Sequence, residues 1–297
     1  MTRPIALLAL LLATAALGLA WFRGPAASPH TDQDQPAFRH VVESKTLRCG
    51  YILYAPGIIR DPNTGALSGI VHDVVETAAG RLGLTVAWTE ETAWGRHLEG
   101  LKAGRYDMLC VASFALPSDA ANAETIGPLY FSGIGVWVRP NENRFADSLS
   151  AANAPSVTIS AIDGTIPAIL AQEKFPQAKL SSHPQMTDYS FNMIDVAQGK
   201  ADVTFVENYY GLDYLAHNPG TLKNLAAEKP FRVFHNKLLV NKGEFQLQSM
   251  FQNVVWEMLN NGDLDAIIDR YERNPGALYR VARPFVARAA ERDGAPH

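Results

Sequence analysis

From Thr46 onward the chain alternates short apolar runs with longer segments whose apolar residues recur every three or four positions, with Gly or Pro between them. Thr46–Gly50 predicts a strand. Asp61-Pro-Asn-Thr-Gly65 predicts a turn, because Pro presets φ and Gly accepts a positive one. Ser68 is placed to cap a helix carrying Ile70, Val71, Val74, Val75, Ala78 and Leu82, with Gly83 as its stop. Leu84–Trp88 is a second strand, and a helix from about Gly95 presents Leu98 and Leu101 before Gly104. Asp107–Ala112 is apolar along almost its whole length, as a strand covered on both faces of a parallel sheet requires. The series restarts near Ser156. Val157–Ile162 is a strand, and Asp163-Gly164-Thr165 turns into a helix with Pro167 in its first turn. A helix over about Thr187–Gln198 and an apolar strand, Asp202–Val206, follow. Two helices, about Glu244–Asn260 and Asp263–Tyr271, come next, and the Ala- and Arg-rich tail after Asn274 predicts one more.

A local echo organises this pattern. Leu101-Lys-Ala-Gly104-Arg-Tyr-Asp107 and Val196-Ala-Gln-Gly199-Lys-Ala-Asp202 each end a helix at Gly, continue with a cation and open a strand at Asp. Gly supplies the left-handed helix end, and the cation favours the helix's negative pole. The same turn at the same place in two similar series points to two similar α/β lobes.

Composition narrows the function. The 297 residues carry a net charge of -4, without the basic excess of a nucleic-acid surface. After Arg3, Ile5–Phe22 is an uncharged apolar run, between the length of a signal-peptide core and that of a spanning helix. Residues 1–23 are therefore either a signal peptide or an N-terminal anchor, and in both cases the body is exported, a periplasmic location, with the membrane touched only through residues 5–22. Residues 24–43, rich in Pro, Asp, Gln and Ser, predict a flexible linker. The eight His show no metal-ligand spacing, and neither a Gly-rich phosphate loop nor G-x-S-x-G occurs, so no metal, cofactor or catalytic constellation is expected. Two cysteines, Cys49 and Cys110, permit one disulfide in an oxidising compartment, though spacing alone does not decide it.

The ordered motifs resemble the bacterial extracellular solute-binding proteins of family 3, the polar amino-acid-type capture components of ABC importers. Leu47-Arg-Cys-Gly50 is similar to the opening strand and Tyr54-Ala-Pro56 to the first ligand loop. Gly65-Ala-Leu-Ser-Gly69-Ile-Val-His-Asp73 resembles a G-x-L-x-G-hydrophobic-x-x-D segment, Gly164-Thr165 the second lobe's G-T turn, and Lys242-Gly-Glu244 the return into the first lobe. The resemblance implies an α/β, two-lobed, type II periplasmic-binding-protein-like fold with two hinge strands. Lobe 1 is expected at 44–134 plus 238–275, lobe 2 at 135–237 and a tail at 276–297, with hinges near Ser132–Gly135 and Lys237–Val240. It also implies a small polar ligand, an ABC transporter permease as partner, and a monomer. Neighbouring strands would bring Cys49 close to Cys110, leaving a disulfide or two buried thiols, since a bridge across parallel strands is geometrically demanding.

The same resemblance assigns ligand contacts to Tyr54, Trp94, Ser113, Thr165 and Glu207. Aromatic faces give apolar area and attract cations. A carboxylate at a strand's C-terminal end sits where open α/β sheets bind ligands. The competing readings are core packing for the two aromatics, dipole-stabilised helix starts for Glu207 and plain capping for Thr165. The usual T-x-x-R arginine is missing. Ala120 falls about at its place, and no Arg or Lys occurs from Val111 to Val138. An amine-type ligand, cationic or neutral, therefore fits better than an ordinary α-amino acid, with Arg60 or Arg96 as substitute cations. The alternatives are an enzyme on the same fold, similar to cyclohexadienyl dehydratase, with Glu207 and His97 as acid and base, and a membrane-tethered ligand sensor.

Overall fold

A computed structural model describes residues 35–282, Ala115 and Met186 excepted. The expected signal or anchor segment, the first part of the linker and the tail beyond residue 282 lie outside the described residues.

Two sheets carry the architecture. In the first, β1 (Thr46–Tyr51) lies parallel to β4 (Thr85–Glu91) and to β5 (Met108–Ser113). Helix α2 (Ile70–Arg81) makes the connection from β1 to β4, past the small antiparallel pair β2 (Ile59–Arg60) and β3 (Leu67–Ser68). The helical pattern before Gly104 becomes a 3₁₀ turn, Trp94–Arg96, and one short helix, α3 (Glu99–Lys102). After α4 (Pro117–Asn122) come two long strands, β6 (Ala123–Ile134) and β12 (Arg232–Asn241), which pair antiparallel along nearly their full length and extend the sheet beside β5.

The second sheet lies wholly between them in the chain. Its strands are β7 (Trp137–Val138), β8 (Thr158–Ile162), β9 (Lys179–His183), β10 (Val203–Thr204) and β11 (Lys223–Asn224), in the order β11-β7-β10-β8-β9. Helices α5 (Ile166–Lys174), α6 (Ser190–Ala197) and α7 (Asn208–His217) connect them. The chain crosses into this lobe through Ile134–Trp137, where Gly135 N–H bonds the Val206 carbonyl, and returns at Phe231–Arg232. The expected second hinge, Lys237–Val240, is instead inside the first sheet, with Leu239 opposite Leu109 and Val240 opposite Met108.

The echo in the sequence has a shared structural cause. Asp107 Oδ2 accepts the Arg48 backbone N–H of β1 at 2.9 Å, while Asp107 N–H returns a bond to the Arg48 carbonyl at 2.9 Å. Asp202 does the same to Thr158 of β8, at 2.9 and 2.8 Å. Each aspartate thus fastens the start of a parallel strand of its lobe to the turn before the buried one. Each also holds arginine, Arg48 for Asp107 and Arg139 with Arg144 for Asp202.

Three expectations need correction. Residues 36–44 are not linker. They form α1 (Pro36–Ser44), whose first N–H groups, from Ala37 and Phe38, bond the buried carboxylate of Glu244 at 2.9 and 3.0 Å. That cap comes from the head of α8 (Phe245–Asn261), far along the chain, so no local signal announces it. Ser68 belongs to β3, and Gly69, with φ 123°, holds the cap position of α2. A Cβ on Gly69 would lie 2.4 Å from the Gly57 carbonyl oxygen. The start of the tail is β13 (Leu278–Tyr279), an edge strand on β6, following α9 (Asp263–Tyr271).

β1 and β5 place Cys49 and Cys110 with Cα atoms 5.5 Å apart, and the structure joins them in a disulfide. Cys49 is in register with Met108, and Cys110 lies two residues further on the same face, so the bridge runs diagonally across the pair.

Candidate functional site

The loop after β1 closes on itself. Tyr54 and Ile58 exchange backbone hydrogen bonds at 3.0 Å each, and the carbonyls of Pro56 and Gly57 receive the first N–H groups of α2. The G-x-L-x-G motif therefore builds a pedestal that fixes Tyr54. Asp73 of the same motif ties α2 to α9 through Tyr271 Oη and Arg270, both at 2.8 Å.

Tyr54 is the centre of an aromatic cluster drawn from both lobes. Its ring meets Trp94 edge-on at 5.4 Å, Tyr189 at 4.9 Å and Tyr210 at 5.0 Å, and Tyr189 stacks on Tyr210 at 5.1 Å. Its hydroxyl donates to Oε1 of Glu207. Glu207 holds the N-cap position of α7, but its side chain caps nothing there; it reaches across to Tyr54. It is buried, and burial pushes its carboxyl up to about 8, so it is neutral through most of the range where carboxylates ionise.

Two chambers flank this cluster. The first, of about 140 Å³, is lined from the first lobe by Tyr54, Trp94, His97, Ser113, Phe114 and Asp119 and from the second by Thr165, Ile166 and Tyr189, among others. The second, of about 330 Å³, shares Tyr54, Trp94 and Tyr189 and adds Arg60, Glu91, Gln185, Asp188 and Tyr210. Ser113, at the end of β5, and Thr165, at the head of α5, are both buried on the first chamber's wall. The Thr165 hydroxyl donates to the Ile162 carbonyl at 2.6 Å instead of capping α5, so its oxygen retains acceptor capacity. The lobes come close at Gly95, where a Cβ would stand 2.3 Å from the Gln185 amide and where Gly164 also lies near.

Of the five residues expected at the ligand, Tyr54, Trp94, Ser113 and Thr165 line the first chamber, and Glu207 sits behind Tyr54 and lines neither. Arg60 lines the second chamber but is paired with Glu91 at 2.6 Å. Arg96 lies outside both, exposed and paired with Glu99 at 3.2 Å. Ala120 is exposed on α4. Sequence reasoning missed Tyr189, Tyr210 and Asp119, the partner of His97. The Tyr209-Tyr210 doublet directly after Asn208 was the available signal for one of them.

His97 bonds Asp119 Oδ1 through Nε2 at 3.1 Å and the Trp94 carbonyl through Nδ1. Both partners only accept, which suits a ring with protons on both nitrogens. Burial works against that charged ring, but the bonds to Asp119 and Trp94 outweigh it and hold the imidazole above its ordinary value.

This frame of two sheets with a lined cleft agrees with the comparisons. Residues 47–274 match the bacterial extracellular solute-binding proteins, family 3. The chain belongs to that family. A Haemophilus influenzae relative of this solute-binding protein, named "Probable amino-acid ABC transporter-binding protein", is 24% identical over 231 residues, covering 76% of this chain and 84% of its own. The crystal structure of an ancestral amino acid-binding protein, a precursor of cyclohexadienyl dehydratase, superposes with a TM-score of 0.67 at 20% identity, over 79% of this chain and 98% of the other. An ABC transporter binding component from Wolinella succinogenes, complexed with lysine, gives 0.68 at 18% identity, over 78% and 97%. These two likenesses are of fold: the two-lobed α/β type II arrangement. The family and the named relative make this a solute-binding protein of the amino-acid ABC transporter type.

Proposed function

We propose that this solute-binding protein captures a small polar, amine-type ligand in the periplasm by closing its lobes on it, and delivers it to an ABC importer permease. The observation that carries this is the first chamber, whose wall alternates between Tyr54, Trp94 and Ser113 of one lobe and Thr165 and Tyr189 of the other. Contacts that need both lobes favour the closed form only when a guest fills the space between them. The Tyr54–Glu207 bond also joins the two lobes.

Binding is favoured over catalysis. General acid–base work needs a group free to move a proton. Both nitrogens of His97 are engaged by acceptors, and Glu207 is engaged by Tyr54. Prephenate added to the protein is expected to remain unconverted.

The test is to release the small molecule carried by purified protein, identify it by mass, and titrate it back by calorimetry while X-ray scattering follows the radius of gyration. Saturable binding with compaction, weakened at least tenfold by Trp94→Ala, is expected. A protein that releases nothing, or whose released molecule rebinds without compaction, would overturn the proposal. Retention of residues 5–22 in the membrane, read by fractionation, would make the same protein a tethered receptor.

A further inference from the structure

The carboxylate that faces the first chamber is not the one to which the sequence pointed. Asp119, in the first turn of α4, is only 6% exposed and lies on the chamber wall. His97 takes its Oδ1. Among the described residues Oδ2 carries no hydrogen bond, and no Lys or Arg lines the chamber. Tyr54, Trp94 and Tyr189 line the same space, and aromatic rings attract cations through their faces. Ala120, where the resemblance would put an arginine for a ligand carboxylate, is exposed, and the buried side chain next to it has the opposite charge.

We propose that Asp119 is the anionic anchor of the ligand, receiving an ammonium group at Oδ2 between the rings of Tyr54, Trp94 and Tyr189. This rests on the cleft being the ligand site, and it names the class of guest: a small organic ammonium ion whose carboxylate, if it has one, finds no arginine in this chamber. A carboxylate held by His97 on one oxygen is oriented in advance, and a charge-assisted bond to its other oxygen is short and strong. The wall holds no lysine or arginine, and both ring nitrogens of His97 are taken by Asp119 and the Trp94 carbonyl, so an anionic guest would meet Asp119 with no free cation to receive it.

The proposal is tested by calorimetry with three probes matched in chain length: cadaverine, L-lysine and glutarate. Saturable binding of at least one amine, loss of at least tenfold in its affinity in both Asp119→Asn and Asp119→Ala, and no binding of glutarate are expected. Binding of glutarate, or failure of both amines to bind, overturns the proposal, and neither result depends on a variant that folds. Amine affinity unchanged in a folded Asp119 variant overturns it too. In each of these cases a released native molecule that rebinds with compaction leaves solute capture standing, so the two failures are distinguishable.

Discussion

Tyr54 donates its phenolic proton to Glu207 across the space between the two lobes, so a residue fixed by the first lobe's pedestal loop closes over a carboxyl from the second. The carboxyl is buried and its pKa is raised from 4.5 to about 8. In the unfolded chain it ionises above its ordinary value, whereas in the folded protein it stays protonated until about pH 8. Its stabilising contribution is therefore complete below pH 4.5 and is lost progressively as pH rises through about 8. Measured as denaturation free energy, the advantage of the native protein over Glu207→Gln should shrink by a few kcal/mol between pH 5 and 8, on the order of 1.4 kcal/mol for each pH step of one across that interval. An advantage independent of pH would show that the carboxyl is not held neutral.

The two strand-fastening aspartates differ in burial, which predicts different costs. Asp107 is fully buried and holds Arg48, the Arg48 backbone N–H and His40. Asp107→Asn should cost about 3 kcal/mol in urea denaturation, because a buried partner of an ion pair is removed while the half-exposed arginine is partly rescued by solvent. Asp202, more accessible to water, should cost about 1–2 kcal/mol on the same change. An equal or reversed order would mean that burial does not set these bonds' worth.

Gly211 inverts the usual helix rule. It lies inside α7, where alanine ordinarily gains about 1 kcal/mol. A Cβ there would stand 1.9 Å from the ring of Trp137, which is fully buried and donates Nε1 to the Val206 carbonyl at 2.9 Å. Gly211→Ala should lower stability by about 1–3 kcal/mol through overpacking. A rise in melting temperature would contradict that crowding.

The bridge between Cys49 and Cys110 closes a loop with a sequence separation of 61. Its removal by Cys49→Ser with Cys110→Ser should lower stability by roughly 2–4 kcal/mol, mainly by freeing the unfolded chain. Denaturation with and without reductant measures it: the native protein should shift, and the double variant should not.

Much of the fold was legible because its signals are local. The apolar run before Ser113, the helix stops at Gly83, Gly104 and Gly199, and the paired G-x-x-D turns all report short-range geometry. What was illegible depends on distant partners. The carboxylate of Glu244 makes a helix of residues that read as a tether, and Lys237–Val240, which reads as a hinge, pairs within the first sheet. At the site, the family resemblance picked out Tyr54 and Trp94 but not Tyr189 and Asp119. Nothing near them in sequence tells that Tyr189 will meet Tyr54, or that Asp119 will meet His97 across 22 positions. For Glu207, a carboxylate at a helix start gives no hint that a tyrosine from the other lobe will bond it.

Every strand of the second sheet lies between Trp137 and Asn224, whereas the first sheet still needs β12 and β13, made later. A polypeptide emerging from its N-terminus therefore has all the pieces of the later lobe in hand before the earlier one can insert β12 between β5 and β6. Built up from its N-terminus, this fold finishes its halves in the reverse of the order in which they begin.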